Sequence, residues 1–188
     1  MNRSTLLPSV LCLLASGGVA SAEPTADETA KTDEKTGELS QALQAFELAS
    51  FQNVKSQRCI GVDGASSANG ALLKQFSCDS SSNQNWHIQR SGIEHTMINQ
   101  KSNRCMGVSG ASKTAGANLG QFGCDGSANQ AWVLEALGGT TANPIARFIN
   151  VNSNMCLGVD GASTANGAQL KQFPCDGSVN QQWRLIER

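Results

Sequence analysis

Apolar positions along this chain follow two different periods. From Phe51 onward they come in short alternating runs, such as Arg58 to Val62 and Ala71 to Cys78, each closed by Asp63-Gly64, Asn69-Gly70 or a Ser/Asn cluster. Short alternating runs bounded by Gly, Asn and Asp predict β-strands joined by tight turns. Just before them the spacing changes. Leu39, Leu43 and Phe46 fall at intervals that put them on one helical face, which predicts one short amphipathic helix lying against the strands.

The strand pattern recurs. Cys59, Cys105 and Cys156 are each followed 19 residues later by a second cysteine (Cys78, Cys124, Cys175) and eight residues after that by a tryptophan (Trp86, Trp132, Trp183). One structural unit has therefore been triplicated, with repeats at about 50–94, 95–145 and 146–188. Each unit reads as about four short strands, too few to bury an apolar face alone, so the three are expected to close into one barrel about a pseudo-threefold axis. The third unit begins five residues late (51 residues after the second, against 46), and the turn-rich stretch Leu137 to Pro144 is expected to absorb the difference as a loop.

Composition and charge divide the chain. Residues 1–22 read as a secretory signal: Arg3, a largely apolar run from Leu6 to Val19 interrupted by Pro8 and Gly17-Gly18, then Ala20-Ser21-Ala22 as a cleavage site. That run is too short and too broken for a membrane span, so no transmembrane segment is expected in a mature, exported, monomeric protein, secreted or periplasmic. Residues 23–49 hold seven acidic and two basic residues and read as a flexible acidic tether, apart from the helix near its end. Residues 50–188 form the repeat domain. Removing the signal removes Cys12 and leaves six cysteines as three equal pairs in an oxidising compartment, which predicts one disulfide within each repeat. Gaps of 19 residues, no CxxC pair and only His87 and His95 argue against a metal site or other cofactor. The excess of three positive charges from Phe51 onward is too small and scattered to indicate nucleic acid.

Asn83-Gln84-Asn85-Trp86, Asn129-Gln130-Ala131-Trp132 and Asn180-Gln181-Gln182-Trp183 resemble the QxW motif of ricin B-type β-trefoil lectins and carbohydrate-binding modules. The resemblance covers about Ser50 to Arg188. It implies an all-β, β-trefoil fold, glycan binding at up to three shallow pockets, and no catalysis.

Candidate site residues follow from strand parity and from this resemblance. In the Ala71 to Cys78 run, Leu73 and Gln75 share one face, Lys74 and Phe76 the other. Leu recurs as Leu73, Leu119 and Leu170 on the face expected to be buried, which turns Phe76, Phe122 and Phe173 outward, where an aromatic ring can pack on the C–H face of a sugar. Asn83, Asn129 and Asn180 match the amide that the family turns toward a sugar hydroxyl, although an Asn in a turn also suits that position. The tryptophans and Gln84, Gln130 and Gln181 read as internal anchors. One departure is marked: two residues after the first cysteine, where the family carries an Asp, stand Gly61, Gly107 and Gly158. Asp63 and Asp160 appear two residues later, about 7 Å along the same strand face, where they are equally the Asp of an Asp-Gly turn. Lys74 and Lys171 replace a family Gln, and a Lys beside an Asp suggests an acidic or unusually substituted sugar. With Ser109 and Gly120 in place of Asp and Lys, the middle unit ranks below the others.

No carboxylate pair and no nucleophile with its base recurs with the repeat, so an enzyme is not expected. The leading expectation is a lectin of several weak sites engaging one glycan or polysaccharide. A β-trefoil scaffold that has lost sugar binding and serves as a protein-interaction or inhibitor module is the alternative.

Overall fold

The computed structural model describes residues 26–188; the expected signal over 1–22, with Cys12, lies outside them. Twelve strands form one antiparallel sheet: β1 (Leu48–Asn53), β2 (Cys59–Val62), β3 (Leu73–Phe76), β4 (Trp86–Ser91), β5 (Glu94–Asn99), β6 (Cys105–Val108), β7 (Leu119–Phe122), β8 (Trp132–Thr140), β9 (Asn143–Asn150), β10 (Cys156–Val159), β11 (Leu170–Phe173) and β12 (Trp183–Glu187). Pairings β1–β4, β4–β5, β5–β8, β8–β9, β9–β12 and β12–β1 close a ring, so six strands form a barrel without free edges. The remaining pairs, β2–β3, β6–β7 and β10–β11, are three hairpins that meet through bridges Leu72–Gly120, Lys74–Gln169 and Asn118–Lys171. Four strands per unit and threefold closure make this a β-trefoil.

The alternating pattern explains the core. Leu73, Leu119 and Leu170 are fully buried, as are Trp86, Trp132 and Trp183, with Phe51 edge-on to Phe148 at 4.9 Å between ring centroids. Each buried indole N–H donates to a carbonyl on the first hairpin strand of its own unit, Ile60 in β2, Met106 in β6 or Leu157 in β10, at 3.0–3.3 Å, which removes the cost of burying that donor. Disulfides Cys59–Cys78, Cys105–Cys124 and Cys156–Cys175 each close one unit. On the chain-entropy account each contributes about 3 kcal/mol.

Gln75, Gln121 and Gln172 are buried on the Leu face and bind units together. Each side-chain amide donates to two carbonyls of the preceding unit's loop in the cycle: Gln75 to Ser163 and Ala165, Gln121 to Ser66 and Ala68, Gln172 to Ser112 and Thr114. Buried amides with every partner in place fix one register between neighbours.

Two stretches differ from the sequence reading. The acidic stretch is helical over α1 (Ala26–Ala45), 20 residues long, where a tether with one short helix was expected. Asp27 and Glu28 sit in the first turn, where the helix dipole favours them, and Lys31 pairs with Asp27 at 2.8 Å. Leu39, Leu43 and Phe46 are buried against the barrel, and the Arg90 guanidinium donates to the Phe46 carbonyl at 2.6 Å. The extra residues before the third unit, Leu137 to Pro144, do not form a loop. They lengthen β8 and β9 into a long hairpin with a bulge between Ala136 and Gly138, and Leu39 lies against its Ala136–Gly138 edge. Gly138 and Gly139, at φ 153° and 92°, supply the backbone freedom that this bend requires.

Candidate functional site

Each hairpin presents one face to solvent, and the candidate residues gather there. In unit one, Gly61 pairs with Lys74 and Cys59 with Phe76 across β2–β3. A Cβ built on Gly61 would lie 3.0 Å from the Phe76 ring, 3.2 Å from Gln84 and 3.4 Å from the Asn83 amide nitrogen. Asp63 begins a one-turn 3-10 helix beyond β2 and meets the Lys74 ammonium at 2.7 Å. Unit three repeats the arrangement: the Gly158 Cβ position lies 3.1 Å from Phe173, and Asp160 meets Lys171 at 2.8 Å. In units one and three the Phe ring and the Asn amide therefore meet at a bare glycine, and the Asp–Lys ion pair stands at their margin. In the middle unit, where Ser109 and Gly120 stand for Asp and Lys, a Cβ on Gly120 would come within 3.0 Å of the Phe122 ring, so that ring leans over ground held elsewhere by Lys.

Two open depressions mark the face. One, of about 380 Å³, is lined by Phe173, Pro174, Asp176, Asn180 and the Gly161-Ala162 turn. The other, of about 450 Å³, is lined in unit two by Phe122, Asp125, Asn129 and the Gly110-Ala111 turn, and also by Asn69 of unit one. Asp160 and Lys171 stand beside the first depression and are not part of its lining. Their ion pair, partly exposed, neutralises both charges, so an anionic sugar would have to compete with a carboxylate already in place. The middle unit, ranked lowest by sequence, retains a depression as large as the third.

The Asn side chains are partly committed. Asn129 and Asn180 donate to the Val108 and Val159 carbonyls at 3.2 and 3.4 Å, and Asn83 and Asn129 accept from the Ser81 and Ser127 hydroxyls. A side-chain amide has two N–H donors and two acceptor sites, which leaves capacity for a ligand. Gln84, Gln130 and Gln181 are buried and span their own loops, donating to Ser77, Gly123 and Pro174 carbonyls and accepting from Asp79, Asp125 and Asp176 N–H groups.

Those aspartates are the residues the sequence reading missed. Asp79, Asp125 and Asp176 follow the second cysteine in every unit, and the last two line the depressions. The hydroxyl of the serine two residues on, with its backbone N–H, holds each carboxyl below the ordinary carboxylate value, so it stays ionised. The signal was available: this is the one acid present in all three repeats. A further hollow of about 390 Å³ lies between α1, the β8–β9 tip and Glu187, without repeat-related partners. Among the described residues no three His, Cys, Asp or Glu side chains cluster to hold a metal, and no helix is long and apolar enough to cross a membrane.

Comparison with known proteins places this face in context. The profile described as "ricin-type beta-trefoil lectin domain-like" matches residues 40–122, 91–145 and 128–188. Among solved structures, the designed threefold-symmetric protein ThreeFoil superposes with a TM-score of 0.72 at 29% identity, over 76% of this chain and 99% of that one. An exo-β-1,3-galactanase from Clostridium thermocellum aligns at 0.71 and 25% identity, over 76% of this chain and 30% of the enzyme. The Macrolepiota procera ricin B-like lectin, determined with lactose, aligns at 0.64 and 18% identity, over 75% and 95% of the two chains, a likeness of fold.

Proposed function

The chain belongs to the ricin-type β-trefoil lectin family, and on that premise we propose that it is an exported, non-catalytic lectin that binds glycans at three repeat-related sites. The observation that supports this reading is the recurrence, in every unit, of a partly exposed Phe ring packed over a bare glycine, joined in the depressions of units two and three by an Asn and an ionised Asp. An apolar ring face beside fixed polar groups is what a pyranose requires, since one side of it is C–H and its rim is hydroxyl. Shallow sites of this kind bind weakly one by one, and three on one molecule gain strength on a polymer or a glycan-coated surface. The roles are Phe76, Phe122 and Phe173 for stacking, Asn83, Asn129 and Asn180 with Asp79, Asp125 and Asp176 for hydroxyls, and the pairs Asp63–Lys74 and Asp160–Lys171 at the margin of their sites. Disulfide stapling of every unit supports export, because such bonds persist in oxidising compartments.

Galactose-type sugars are the natural first probes, since related folds have been determined with lactose and with GalNAc. Replacing Phe76, Phe122 and Phe173 together by Ala is expected to weaken each site roughly fivefold to tenfold by loss of the stacking face, and to abolish retention on a lactose-bearing resin. The three side chains are largely buried, so the melting temperature is expected to fall, and retention is compared at a temperature where circular dichroism shows the variant folded. Retention of the folded triple variant at the native level would refute the site assignment; a native protein that binds no glycan but captures a protein partner would favour the interaction scaffold.

A further inference from the structure

One of the three seams between the units is chemically unlike the other two. Where the loop of unit three meets unit one, the Arg58 guanidinium donates to the Thr164 carbonyl at 2.8 Å, to the Ser77 hydroxyl at 2.8 Å and to the Asn166 side-chain oxygen at 3.2 Å. The Ser77 N–H donates to that same oxygen at 2.8 Å. Where the loop of unit one meets unit two, Arg104 donates to the Ser67 carbonyl at 2.9 Å and to Asn69 at 3.2 Å, and the Gly123 N–H donates to Asn69 at 2.8 Å. Where the loop of unit two meets unit three, the corresponding residues are Met155, Ala115 and Pro174. Met and Ala bring no side-chain donor, and Pro has no N–H.

Three changes in three separate stretches have removed every side chain of one polar clamp together. The seam itself is intact. Gln172 still donates to the Ser112 and Thr114 carbonyls at 2.9 Å, and Asn152 donates to the Ala111 carbonyl at 2.9 Å, so the loop of unit two remains seated. What has changed is the rim of the third depression. Asn69 and Gly123 line the second depression, whereas Pro174 lines the third beside Phe173, with no residue of the neighbouring loop in its lining. Cys156 faces Phe173 across the hairpin, so Met155 and Pro174 form the next pair outward from the ring. Pro174 and Ala115 are exposed and Met155 is half-buried; of the three, Pro174 lines the depression beside Phe173 and gives its rim an apolar edge.

We propose that the third site is specific for a saccharide carrying an apolar substituent next to the ring stacked on Phe173, such as an acetamido methyl or an alkyl or aryl aglycone, while the first two sites prefer a bare hydroxyl there. This rests on the carbohydrate-binding reading above. A methyl or phenyl group laid on Pro174 leaves water without stranding a polar partner. At the second site the same group would displace water from Asn69 and leave its amide unpaired, the arrangement that gives polar sites their selectivity.

The test is a site-resolved NMR titration of the intact protein, following the backbone amides of Asn83, Asn129 and Asn180. Two matched pairs of probes are used: galactose against N-acetylgalactosamine, and methyl against phenyl β-galactoside. The first pair reports an acetamido source of the apolar group, the second an aglycone source. At Asn180 the substituted member of at least one pair should bind about fourfold or more tighter than its plain partner, the value of one buried methyl or more, with ratios near or below one at Asn83 and Asn129. The triple variant Met155→Arg, Ala115→Asn, Pro174→Gly rebuilds the clamp of the second seam, and should bring the ratio at Asn180 to that at Asn129 while binding of the plain sugar persists. Equal ratios at all three amides, or an unchanged ratio in the folded triple variant, would overturn the inference and leave the lectin reading standing. Failure of every probe to move any of the three amides would sink both.

Discussion

At the scale of single residues, the bare glycine and the aromatic ring act as one device. A Cβ on Gly61 would stand 3.0 Å from the Phe76 ring and 3.2 Å from Gln84, and Gly158 stands in the same relation to Phe173 and Gln181. The aspartate that the family carries at this position therefore cannot be added without moving the ring, which accounts physically for its absence. Gly61→Ala and Gly158→Ala are expected to push each ring outward, to cost about 1–3 kcal/mol through local overpacking, and to weaken glycan binding several-fold at the altered site alone. Thermal melting together with site-resolved titration checks both parts. A Gly61→Ala protein with native melting and native binding at site one would show that ring and glycine are independent.

At the scale of elements, the barrel strands and the three hairpins were legible because alternation, turn residues and the cysteine-to-tryptophan spacing all recur with one period. Helix α1 was legible only in its last turns. Leu39, Leu43 and Phe46 announce a buried face, while residues 26–38 have no apolar stripe and owe their helix to good helix formers, first-turn acids and the Lys31–Asp27 pair. The long β8–β9 hairpin was hidden because Gly138 and Gly139 read as loop, yet in the structure they bend a strand. Asp79, Asp125 and Asp176 were hidden for another reason: acids in turns are common, and these stand just after the second cysteine, far along the chain from the family's usual acid. The helix is held by few residues, so Leu39→Ala with Leu43→Ala should remove about 2–5 kcal/mol per buried leucine from its docking. Far-UV circular dichroism should lose its helical component well below the temperature at which the tryptophan environment melts. A single transition at the native temperature would mean that α1 contributes nothing to the fold.

His95 belongs to the same neighbourhood. It is buried, it pairs with Trp132 across β5–β8, and burial, with the Arg90 charge adding to it, lowers its pKa below the ordinary 6.5. An imidazole kept neutral in the fold and free to charge when unfolded contributes stability that is whole above about pH 6.5 and declines as the pH falls below it.

At the scale of the whole molecule, triplication has produced one rigid frame with three faces that are alike in scaffold and unlike in rim. Tryptophans, glutamines and disulfides are repeated almost without change, whereas the clamp, the Lys–Asp pair and the residue beside each Phe vary from unit to unit. On the proposed lectin reading such a molecule would engage several sugars of one polymer at once, each site weak and the whole selective. The most direct test of this account is a lactose titration of the isotope-labelled native protein, with every backbone amide followed. The account predicts saturable shifts that cluster in the loops bearing Phe76 and Asn83, Phe122 and Asn129, and Phe173 and Asn180, with the barrel interior and α1 unmoved. Shifts confined to the hollow beneath α1, or none at any of the three faces with lactose or any other glycan, would contradict it.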